Sequence, residues 1–140
     1  MNSSIMKAFL QGGAIMACLF GATLSHADVQ SMTKIYNSPQ TAPKTQRCKG
    51  NQNCNAFYAL SKQWLSIPNN FTAYGDNIKN YAKAGDGYGL WKGASFKKQR
   101  SIDLSQAAEP IFYNAGGASA ADERIFAQGL AVLIYLENKK

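Results

Sequence analysis

The chain has 140 residues, 15 of them basic and 8 acidic, for a net charge of +7, and its single histidine is His26. That length holds one hydrophobic core, and 46% apolar residues with 11% aromatics are too many for a wholly disordered chain. If His26 is removed with a targeting segment, histidine-dependent triads, His-ligated metals and histidine-held haem are excluded together.

Residues 1–27 read as a secretory signal peptide. Lys7 supplies the positive start, and the apolar stretch from Ala8 to Gly21 follows it. At about 14 residues the stretch is short for a bilayer span, which takes about 20. Ser25 and Ala27 are the small residues a signal peptidase reads, which places the cut between Ala27 and Asp28. This predicts a periplasmic or secreted protein of net charge +6 without a transmembrane helix. The rival is a lipoprotein box at Ile15-Met16-Ala17-Cys18, with Cys18 lipidated; Met16 and the apolar Leu19-Phe20 fit it poorly.

Residues 28–46 contain Pro39, Pro43 and scattered polar residues, so they are expected to form an extended or disordered lead-in. A single helical domain is expected over 47–140. Cys48 and Cys54 close a short polar loop, and in an oxidising compartment two such thiols form a structural disulfide. The loop is small, so the bridge contributes on the order of 2 kcal/mol at most. A redox-active pair would be more convincing as Cys-x-x-Cys, and a metal would need more ligands.

Phe57, Leu60, Trp64 and Leu65 recur with helical spacing, which predicts a helix over Asn55–Ser66, capped by Asn55 and ended before Pro68. A second helix is predicted over Asn70–Ala84, with Phe71, Tyr74, Ile78, Tyr81 and Ala82 on one face and Gly85 beyond its end. The segment from Gly85 to Gly93 has four glycines in nine residues and reads as a loop. Residues 94–104 are ambiguous. Ser105–Asn114 has helix-forming residues, but Pro110 must kink it or start a new turn, and Gly116-Gly117 breaks the chain. A last helix starts at Ser119, carries Asp122 and Glu123 in its first turn, and is apolar round most of its circumference. The fold class is mainly α: a small bundle of about four helices with a central apolar C-terminal helix, a Gly-rich loop and one disulfide.

Charge is uneven. From Lys44 to Arg100 ten basic residues face two acidic ones, a net +8, whereas from Ser101 onward the net is −2. This asymmetry points to an acidic partner. The candidate partner-binding residues are Tyr88, Trp91 and Lys92 in the glycine segment, followed by Lys97, Lys98 and Arg100. The two rings either stand out to stack on a sugar or anchor an interface, or fold back on the bundle as a lid. The glycine spacing matches neither a dinucleotide fingerprint nor a phosphate loop, and no nucleic-acid reader motif is present. No cofactor or metal is implied, and no catalytic residue is assigned. Hydrolysis without histidine would rest on carboxylates, for which Asp76, Asp86, Asp103 and Glu109 are the candidates.

Two functional readings follow. The first is an exported, non-catalytic binding protein of inhibitor or immunity type that engages an acidic protein partner through its basic surface. The second is an envelope-associated factor that binds cell-wall polymer or anionic lipid, or a small carboxylate-based wall hydrolase.

Overall fold

A computed structural model describes residues 21–73 and 75–139, with side chains from Asp28 onward. The chain is mainly helical: α1 (Gly21–Asn37), α2 (Gln52–Ser61), a hairpin of β1 (Thr72–Ala73) and β2 (Asp76–Asn77), α3 (Ile78–Ala84), α4 (Gly87–Gly93), α5 (Gln99–Phe112) and α6 (Ala120–Asn138). Cys48 and Cys54 are joined, with an S–S distance of 2.02 Å. No helix among the described residues is long and apolar enough to cross a membrane. Cys18, the position of the rival lipoprotein reading, and most of the proposed signal peptide lie outside the described residues.

As its composition requires, α6 is central. The Ser119 hydroxyl accepts the Asp122 N–H at 3.1 Å, which satisfies one free donor at the helix start. Phe126, Ala127 and the run from Gly129 to Ile134 are buried, and every other helix packs on α6. Gly129 sets the distance to α2. A Cβ there would lie 2.2 Å from Cζ of the fully buried Phe57, so the two helices approach only because that atom is missing. Around this contact Phe57 lies 5.6 Å from Phe126 and 6.4 Å from Phe112, centroid to centroid, and Tyr58 stacks on Phe112 at 5.6 Å.

The extended lead-in expected over 28–46 is instead helical as far as Asn37. Val29, Met32, Ile35 and Tyr36 repeat at three- and four-residue intervals, and α1 packs this side on α2 and α6, with Met32 wholly buried. The Tyr36 hydroxyl shares a 2.7 Å hydrogen bond with Ser101. Beyond α1, Pro39 and Ala42 are buried, and the Thr45 N–H donates to the side chain of buried Asn55 at 3.2 Å. Asn55 is thus a tether within α2. The cap is Asn51, whose side chain accepts the Cys54 N–H at 2.9 Å.

Three further expectations change. First, α2 stops at Ser61 and the chain tightens into a 3-10 turn over Trp64–Ser66. The different rotation per residue takes Leu65 off the apolar face, and it is 66% exposed. Second, the helix predicted over Asn70–Ala84 begins only at Ile78, after the hairpin. Gly75 turns the hairpin at φ +84°, and Asn77 caps α3 by accepting the Lys79 N–H at 2.9 Å. Gly85 ends α3 at φ +73°, as anticipated. Third, the glycine segment is not a loop but α4. Pro110 sits in the last turn of α5, where its missing N–H removes one helical bond near the end.

Candidate functional site

The glycines of α4 are sites of close approach. A Cβ on Gly87 would lie 2.9 Å from the Glu123 carbonyl oxygen and 3.4 Å from the Phe126 ring, so Gly87 lets α4 lie against α6. Asp86 caps α4 by accepting the Gly89 N–H at 2.8 Å, and the Tyr88 N–H donates to the Glu123 carboxylate at 3.2 Å. Held this way, α4 separates its two rings. Trp91 turns inward, 5.3 Å from Phe126, and is half-buried; Tyr88 turns outward and is 52% exposed. Lys92 holds its ammonium 5.0 Å from the Tyr88 centroid, and Tyr113 lies 6.3 Å from Tyr88 on another side. Burial, and after it the Glu123 carboxylate, push the Tyr113 phenol above its ordinary range.

The second group of candidates is anchored at the other end of α6. Glu137 accepts the backbone N–H of Lys97 at 2.7 Å and that of Lys98 at 3.3 Å, fixing the extended segment before α5. The side chains of Lys97, Lys98 and Arg100 are exposed. Among the described residues the one ion pair joins Arg47 to Asp122 at 3.0 Å, so none of the three has a carboxylate partner there.

The six candidates therefore do not form a compact patch. Glu123 and Glu137 stand fourteen residues apart, close to four full turns, so they lie along one side of α6 about 21 Å from each other. Tyr88 and Lys92 occupy one end of this strip, and Lys97, Lys98 and Arg100 the other. Sequence reasoning missed the two glutamates that set this spacing. The available signal was their position: Glu123 and Glu137 stand close to four turns apart on a helix that is apolar round most of its circumference.

The carboxylate candidates are differently placed. Asp76 and Asp86 line one open depression of about 320 Å³ on either side of Tyr81, an association absent from the sequence argument. Asp76 accepts the Tyr81 hydroxyl at 3.3 Å and holds that phenol above its ordinary range, while Asp86 is engaged in capping α4. Asp103 accepts from Gln99 at 2.8 Å within α5, and Glu109 gives its carbonyl to the N–H of Tyr113. No group of three or more metal-ligating side chains occurs among the described residues.

Comparison of the chain with protein-family models, curated proteins and solved structures finds no match.

Proposed function

We propose that the protein is an exported, non-catalytic binding protein of inhibitor or immunity type, which engages an acidic protein partner through the exposed side chains at the two ends of the α6 strip. One observation carries this reading. Glu137 spends its charge on two backbone N–H groups, and the cationic heads of Lys97, Lys98 and Arg100 project with no carboxylate partner among the described residues. Unpaired cations on an anchored backbone suit a rim that steers an acidic surface into register. Exposed Tyr88, with Lys92 over its ring, supplies an aromatic anchor at the far end of the strip. The separation of about 21 Å fits within one standard interface, whose roughly 800 Å² per partner is on the order of 30 Å across.

Immobilised protein and the variant Lys97→Ala/Lys98→Ala/Arg100→Ala, each exposed to periplasmic extract at low salt, test the reading. The expected result is an acidic protein retained by the unsubstituted chain, released by salt and lost from the variant. Failure to retain any acidic protein, or equal retention by the variant, rejects it. Tyr88→Ala is expected to speed dissociation while leaving the salt dependence in place.

A further inference from the structure

Between Val29 and Gly75 there is no acidic residue, while Lys34, Lys44, Arg47, Lys49 and Lys62 all fall within that run. The fold gathers three of these lysines at one place. A cleft of about 650 Å³ opens between α1, the 41–45 segment and α2, and Lys34, Lys44 and Lys62 all line it. No carboxylate lines the cleft, and the one acid in the described side chains of α1, Asp28, accepts a hydrogen bond from Ser66 at 3.1 Å.

Two details mark this as more than a solvated basic surface. Lys62 is positioned: its ammonium sits 4.4 Å from the centroid of Tyr58, a half-buried ring held against the core by stacking on Phe112. Gln63 donates through Nε2 to Ser31 at 3.4 Å, which ties the segment after α2 to α1 where both line the cleft. Ile35, Pro43 and Ala59 add apolar wall, so the lining combines a carbon surface with a few convergent polar groups.

We infer that this cleft is a second binding site, for a small organic anion: a phosphate or carboxylate group carried on a carbon frame. The lysine ammonium groups receive the anionic group, and the carbon frame rests on the apolar wall. The site is distinct from the α6 strip and does not depend on it.

Calorimetric titration of the full chain with glucose 6-phosphate and with glucuronate, at about 20 mM ionic strength where screening is weak, tests the inference. Binding is expected for at least one probe, with affinity falling about tenfold or more in Lys34→Ala/Lys44→Ala/Lys62→Ala. The variant Lys97→Ala/Lys98→Ala/Arg100→Ala removes equal charge elsewhere and is expected to bind as before. Sedimentation with phosphatidylglycerol–phosphatidylcholine vesicles separates the sources: vesicle binding without soluble binding, lost only in the cleft variant, assigns the anion to a lipid headgroup. No binding in either arm, or equal loss in both triple variants, overturns the site. The substituted lysines are peripheral, and circular dichroism of each variant verifies that it is folded.

Discussion

Along α6, the stretch from Glu123 to Leu130 and the stretch from Ile134 to Lys139 are held by different means. The first is gripped by rings and by absent side chains: Phe126 lies against Phe57, Trp91 and Tyr113, while Gly129 and Gly87 admit neighbours at distances no Cβ would allow. The second buries Ile134 and Leu136 and sets Tyr135 against Phe71, and polar bonds tie its edge to its neighbours. Glu137 takes two N–H groups from the segment before α5, and Lys139 donates to Thr33 at 2.8 Å. Close packing has no slack, so change there costs whole side chains' worth of burial. Polar ties at a wet edge exchange with water and cost little to replace. The basic rim is mounted on the forgiving end, where its residues can vary without loss of the fold.

The largest test of this contrast is Phe126→Ala. It should lower stability by about 3–5 kcal/mol, read as a shift in denaturant midpoint with the slope unchanged. Gly129→Ala comes next. Helix propensity alone would make it stabilising by about 1 kcal/mol, but collision with Phe57 should reverse the sign, for a net loss of about 1–3 kcal/mol. A gain instead would show that α2 can retreat and that the grip is looser than the geometry implies. At the polar end Glu137→Gln should cost about 1 kcal/mol or less, while amide exchange at Lys97 and Lys98 accelerates.

The smallest effect concerns Tyr36. Burial raises its phenol above the ordinary value; the hydrogen bond with Ser101 and the charge of Arg100 pull it down, and Glu137 pushes it up. A raised value means that the fold favours the neutral ring. Its stabilisation is complete below the unfolded value of about 10 and is lost as pH rises through the folded value. Stability of the unsubstituted chain should therefore fall faster above pH ~10 than that of Tyr36→Phe, and parallel curves would contradict this.

How much of this was legible in the chain depended on whether a residue's role was local. Ser119, Gly85 and the apolar girth of α6 act within one turn of themselves, and they could be read directly. The disulfide between Cys48 and Cys54 was legible because residues 28–140 hold no other cysteine. By contrast, Gly87 and Gly129 matter through Phe126, Glu123 and Phe57, which are distant in sequence, and four glycines in nine residues read as looseness until α6 was laid against them. In α1 the polar and proline-rich surroundings outweighed the Val29, Met32, Ile35 pattern. The hairpin has two residues per strand, below what alternation can reveal. For the site, exposure of Lys97, Lys98 and Arg100 followed from charge. Their attachment to Glu137, about forty positions later, followed from nothing local.

The place of α6 in chain order carries a consequence for biosynthesis. Every helix before it packs on α6, yet α6 follows all of them from the N-terminus. During synthesis Met32, Phe57 and Phe112 therefore emerge before the surface that buries them exists. Residues 120–138 act as a late keystone: until they are present, the preceding helices lack the central surface on which each of them packs.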